Sequence, residues 1–311
     1  MSSAKHALSS EQAPESAAAT DSSPDLLSAL LERFRVRAAL FHAGPLCGLT
    51  QFPALPGRAF LHVLRRGEMQ LSYLDAGGRT VHLDLREPSV MLFPRPVAHA
   101  FVNPPVDGAD FTCATLDFHA GDRNPIAGAL PDAIVVPLAA IHGLEPALNL
   151  LFGEADQRCC GSRLLIDRLF EVVLIQLLRW IVDHPGEAGV RSGLIAGLAD
   201  PRLARALVAL HQAPHEAWSL EAMAAQAGMS RSTFAERFRA CTGTTPAQYL
   251  SDWRLSLAAS MARDGQPLKL VAAELGFASA SSLSKAFRKR MGASPRAWLA
   301  QENGATSAPS A

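Results

Sequence analysis

"MSRSTFAERFRACTGTTPAQYL", residues 229–250, returns in altered form as "FASASSLSKAFRKRMGASPRAWL", residues 277–299. The match extends upstream. Leu220, Met223, Ala224 and Ala225 correspond to Leu268, Val271, Ala272 and Ala273 at an offset of 48. After the turn, Phe234, Phe238, Arg239, Gly243, Pro246, Tyr249 and Leu250 correspond to Leu283, Phe287, Arg288, Gly292, Pro295, Trp298 and Leu299 at an offset of 49. One residue has been added in the second turn, and the turn glycines are Gly228 and Gly276. Each unit therefore reads as helix, short turn, helix, the layout that sends a second helix into the major groove of DNA. Ser219 and Ser230 suit the N-caps of the first unit. Phe234 and Phe238, four residues apart, share a face that pins one helix to the other.

Between the units lies "PAQYLSDWRLSLAASMARDG", residues 246–265, with Pro246 placed to start a helix and Gly265 to end it. A helix of about eighteen residues spans roughly 27 Å. Such a rod places two reading helices about one DNA turn apart, roughly 34 Å.

Charge supports this reading. The chain has 311 residues with 29 Lys/Arg and 29 Asp/Glu. Residues 200–311 hold 13 basic against 8 acidic side chains, and residues 1–199 hold 16 against 21. A basic rear third on a neutral chain points to one module that meets a polyanion.

The texture in front is different. Short apolar runs punctuated by Gly, Pro and Asp fill residues 40–137 and predict antiparallel strands, with "DAGG" at 75–78 as a hairpin turn. Residues 25–37 predict a short amphipathic helix, and 162–183 the strongest helix of the front half. That helix carries Asp167, Arg168, Glu171, Gln176 and Arg179, a polar stripe that a membrane span would lack. Its apolar width allows a dimer contact. The five cysteines, 47, 113, 159, 160 and 241, are an odd number with no secretory signal ahead of them. They point to a reducing cytoplasm.

Residues 200–301 resemble the DNA-binding domain of AraC/XylS-type transcription regulators, on "LEAMAAQAGMSRSTFAERFRACTGTTPAQYL" and "LKLVAAELGFASASSLSKAFRKRMGASPRAWL". The resemblance implies base contacts from Arg231, Ser232, Ala235 and Glu236 in the first unit and from Ser281, Ser282 and Lys285 in the second. Arg239, Arg288, Lys289 and Arg290 are expected on phosphates, where they add affinity without sequence information. In front, "EPSVMLFPRPVAHAF", residues 87–101, and "FLHVLRRGEMQL", residues 60–71, resemble cupin motifs, with Pro94 and His99 in place and Glu87-Pro88 where Gly-Asp is usual.

The expected fold is α+β: an N-terminal antiparallel cupin-like β-barrel with helices, then an all-α domain with two helix-turn-helix units. The expected limits are a disordered tail at 1–24, a sensor domain at 25–183, a linker at 184–199, a DNA reader at 200–301 and a tail at 302–311. The expected partners are promoter double-stranded DNA, RNA polymerase, an unidentified small effector and a second copy of the chain, with no membrane and no cofactor. Candidate sensing residues are Arg58, His62 and His99, with Cys47 and Cys113 for a redox signal. The alternative is a metal-dependent cupin enzyme with an appended helical domain. A transition metal needs three or four N/O donors, and of these only His99 stands where a cupin ligand belongs.

Overall fold

The computed structural model describes residues 25, 27–103, 109–119, 124–157 and 159–306. The tail read at 1–24 lies outside them, as do 307–311.

Among the described residues the first element is a six-residue helix, α1 (Ser28–Arg33). It is shorter than the helix read at 25–37, because Phe34 turns into the core and Val36 already begins a strand. Nine strands follow among the described residues. They are β1 (Val36–Leu46), β2 (Gly48–Phe52), β3 (Ala59–Arg66), β4 (Met69–Leu74), β5 (Thr80–Leu85), β6 (Ser89–Phe93), β7 (His99–Asn103), β8 (Ala109–Phe118) and β9 (Ile134–Pro137). They form two antiparallel sheets, β1-β8-β3-β6-β9 and β2-β7-β4-β5. The fold is cupin-like, with one difference from the expectation: the barrel is not closed. The chain crosses from one sheet edge to the other at Cys47, and β1 and β2 each keep a free edge. The hairpin at 75–78 forms as read. Gly78 donates to the Asp75 carbonyl at 2.9 Å, and Asp75 Oδ1 takes the Arg79 N–H at 2.9 Å.

The apolar run "AFLHVL" in β3 is continuous because both faces of that sheet are covered. Phe60, His62 and Leu64 look into the space between the sheets; Leu61 and Val63 look outward onto helices. Those helices are α3 (Glu145–Asp156) and α4 (Ser162–Asp183). The polar stripe of α4 has a structural use. Asp167 takes the Leu40 N–H at 2.7 Å and Glu171 the Ala38 N–H at 3.4 Å, which satisfies donors on the exposed edge of β1. A short α2 (Pro125–Ala129) is capped by Asn124.

Within 184–199, read above as a linker, lies α5 (Leu194–Leu198), whose Leu194, Ile195 and Leu198 are buried. Seven helices follow: α6 (Pro201–Gln212), α7 (Leu220–Ala227), α8 (Arg231–Thr242), α9 (Pro246–Arg263), α10 (Leu268–Glu274), α11 (Ala280–Met291) and α12 (Pro295–Thr306). The last runs past 301, into the stretch read as tail.

One hydrophobic cluster runs from Leu27 through α4 and α5 to Trp298, so the front and rear halves share a core. At their junction the ring of Phe34 meets that of Trp253, on α9, edge to face at 5.1 Å. Beside it His119 Nδ1 lies 2.9 Å from Ser260 Oγ, and its Nε2 lies 3.3 Å from Asp264 Oδ1.

Candidate nucleic-acid interface

The first reading helix, α8, starts at Ser230, whose hydroxyl accepts the Thr233 N–H at 3.3 Å, and ends on left-handed Gly243. Phe234 and Phe238 are fully buried, with ring centroids 5.4 Å apart. That anchoring turns the opposite face outward, and Arg231, Ser232, Glu236 and Arg239 are exposed there with Ala235 half-buried among them. The second, α11, is built the same way. Leu283 and Phe287 are buried, Gly292 closes the helix, and Ser281, Lys285, Arg288 and Lys289 face solvent. Arg239, Lys285, Arg288 and Lys289 form no ion pair with any described residue. The α11 face therefore presents three uncommitted cations beside Ser281, and the α8 face one, Arg239, beside Ser232 and Glu236, groups that can address phosphates and base edges.

Three of the expected contacts are otherwise engaged. Arg231 pairs with Glu221 of α7 at 2.5 Å, and this hydrogen bond holds the Glu221 carboxyl below its usual range. Ser282 completes a capping box with Ser279: its N–H donates to Ser279 Oγ at 3.1 Å while its own Oγ accepts the Ser279 N–H at 3.0 Å. Arg290 turns back to Asp252 on α9, with contacts of 2.7 and 3.2 Å. An exposed pair contributes only about 0–1 kcal/mol, so a phosphate can compete for Arg231. The hydroxyl of Ser282 is less available, because it serves the helix start.

The sensor candidates separate into two groups. His62 on β3 and His99 on β7 meet between the sheets, Nε2 to Nε2 at 3.0 Å. Phe52, Phe60, Phe93 and Phe101 enclose them, with ring centroids of 3.9–6.0 Å, and half-exposed Phe41, at the bulge in β1, meets His62 edge to face at 6.2 Å. His99 Nδ1 donates to the Val97 carbonyl at 2.8 Å, because a carbonyl only accepts. Neutral His99 then accepts at Nε2 from His62 Nε2–H. His62 Nδ1 is left as a bare acceptor, buried and unpartnered. Burial holds both imidazoles neutral: it pushes the His62 pKa well below normal and that of His99 down to about 4, although the Val97 bond opposes the second shift.

Arg58, by contrast, is exposed in the β2–β3 turn and does not join this cage. Cys113 is fully buried, and burial pushes its thiol up, away from the thiolate. Cys47 is exposed at the end of β1. The strand register pairs Cys113 with His42, five residues from Cys47, or roughly 16 Å along the strand. That is far beyond disulfide reach. His62 and His99 do not suffice for a transition metal, and no third His, Cys, Asp or Glu joins them among the described residues.

Other residues at these sites went unseen in the sequence. Arg254 on α9 donates to two carbonyls of the α6–α7 segment, and Phe34 and His119 reach the same helix from the front half. Each pair joins residues that are far apart in the chain, and local spacing carries no signal for them.

A cupin family model matches residues 25–183, about half of the chain, and a helix-turn-helix domain model matches residues 223–301. An AraC-like transcription regulator of Streptomyces lividans is 31% identical over 297 residues, covering 87% of this chain and 95% of that protein. A second, from Streptomyces antibioticus, is 38% identical over 191 residues, which is 60% of this chain and 61% of that relative's own length. The RCS-specific activator RclR of Escherichia coli is 29% identical over 216 residues, covering 68% and 75%.

Proposed function

The chain belongs to the AraC-like transcription regulators, DNA-binding proteins that here carry a cupin front domain, and on that premise we propose that a small molecule sensed by the front domain governs its engagement of promoter DNA. One observation carries the DNA part: two capped, phenylalanine-pinned helices each turn a polar face outward with cations that pair with no described residue, Arg239 on α8 and Lys285, Arg288 and Lys289 on α11. In this reading Ser232, Ala235, Glu236, Ser281 and Lys285 address base edges, with Arg231 released from Glu221 on binding. Ala235, lacking a donor, suits a thymine methyl. Arg239, Arg288 and Lys289 address phosphates. Ser282 and Arg290 act on DNA indirectly, through the α11 cap and the contact with α9.

The sensing part rests on the aromatic cage around His62 and His99. It is apolar, it carries one unsatisfied buried acceptor, His62 Nδ1, and half-exposed Phe41 stands between it and solvent. A redox signal has less support, because Cys113 is sealed and out of reach of Cys47. The reading includes a sensor domain over 25–183, a reader over 200–301, a second copy of the chain, RNA polymerase as partner and action in the cytoplasm. No helix among the described residues is long and apolar enough to cross a membrane.

Gel-shift titration tests the interface. Arg288→Ala should weaken binding to every fragment alike and lower the salt slope by about 0.9. Lys285→Ala should reduce discrimination between selected and scrambled fragments by about 1–3 kcal/mol. If both variants bind like the wild type, α11 is not a reading helix.

A further inference from the structure

The two helix-turn-helix units are copies, yet their turn glycines have different surroundings. Gly228, at φ +63°, opens outward, and a Cβ added there would meet only the Arg205 guanidinium, at 3.4 Å. Gly276, at φ +71°, lies against the segment 213–219 that joins α6 to α7 in the first unit. A Cβ on Gly276 would stand 2.4 Å from the His215 carbonyl oxygen and 3.0 Å from its Cα. The obstacle is backbone, so no side chain can swing aside.

That segment is tied from within and from behind. Trp218 Nε1 donates to the Ala213 carbonyl at 2.9 Å. Arg254, on the helix between the two units, donates through Nε to the Pro214 carbonyl at 2.6 Å and through Nη2 to the Glu216 carbonyl at 2.8 Å. The planar guanidinium fork fixes the direction of both bonds. Farther along, Arg290 of the second unit holds Asp252 of the same helix.

Neither reading helix needs these contacts to form. Each already has its cap, its terminal glycine and its buried aromatic anchor. What the contacts determine is where one unit stands relative to the other. We propose that segment 213–219, held by Arg254 and seated on Gly276, is the spacer that sets the separation and angle of the two reading helices, and so the spacing of the two DNA boxes the protein accepts. Arg254 is a positioning residue: its Nε and Nη2 donors are taken up by carbonyls of the segment. One base pair shifts a box by about 3.4 Å along the duplex and about 35° around it. A rigid pair of readers cannot follow both changes, whereas a loosened pair can.

The test uses the full chain. The wild type first enriches a bipartite site from a random double-stranded pool. The segment between its boxes is then lengthened or shortened by single base pairs, and affinities are measured for the whole series and for each box alone. The wild type should lose about tenfold or more per base pair changed. Arg254→Met keeps an unbranched apolar stem and loses both donors. Its profile should flatten, with about tenfold loss at the best spacing, no loss at the off-spacings and unchanged single-box binding. Gly276→Ala should move the optimum, and where that variant fails to fold Arg254→Met decides alone. A loss by Arg254→Met that is equal at every spacing, or a fall in single-box binding, overturns the proposal and makes Arg254 a support of the fold. A pool that yields only single boxes overturns it as well.

Discussion

His62, His99 and His211 are buried imidazoles, and burial depresses all three, His99 to about 4 and His211 to about 3. His211 sits under Trp253, with ring centroids 4.1 Å apart, and its Nε2 lies 2.8 Å from the Tyr249 hydroxyl. In the unfolded chain each takes a proton near pH 6.5; in the folded chain each resists until far lower. Their stability contribution is therefore complete above about pH 6.5 and is lost as pH falls from there toward 4, by up to about 1.4 kcal/mol per pH unit and group. Urea unfolding at pH 7.0 and 5.0 should show this loss, and His99→Gln should make it smaller by about one group's share. An unchanged pH slope in that variant would mean that His99 is charged in the folded state. His99 was visible in the sequence as a cupin position and His62 as a sensing candidate, but their contact was not, because the two meet only when β3 and β7 face each other.

At the scale of elements, the reading helices were the most legible part of the chain. Capping serines, phenylalanines four residues apart and terminal glycines are local signals, and Gly228, Gly243 and Gly292 take the left-handed backbone those signals require. The sequence could not separate Gly228 from Gly276, which hold equal places in the repeat. The structure does. Gly228→Ala should cost only the left-handed strain, about 1–2 kcal/mol. Gly276→Ala adds a clash with the His215 backbone and should cost more. Differential scanning calorimetry of the two variants checks the order, and equal losses would remove any special role for the second turn. Arg231, Ser282 and Arg290 show the converse limit. Their types and spacing suited DNA, but Glu221, Ser279 and Asp252 already hold them, and only a fold reveals such partners.

The whole molecule was legible as two modules, and less so as a unit. The stretch read as linker contains buried α5, and the core does not stop there. Phe34 is fully buried against Trp253 of α9, the helix that bears both readers. Phe34→Ala should cost about 3–5 kcal/mol. Because the core is continuous, the wild type should melt in one calorimetric transition, and the variant should melt in two. Two transitions in the wild type would mean that the halves unfold independently. A second direct contact joins the same two halves. His119, just after β8, touches α9 at Ser260 and Asp264, a contact between the front sheet and the reader that does not pass along the connecting chain.

That shared interior also governs how such a regulator could be re-engineered. A chimaera cut within 184–199 and joined to a foreign sensor would leave Trp253 and the apolar side of α5 bare to water. A successful graft must bring its own equivalent of residues 27–34 and of His119, so exchanging inputs means transplanting a docking face along with a pocket.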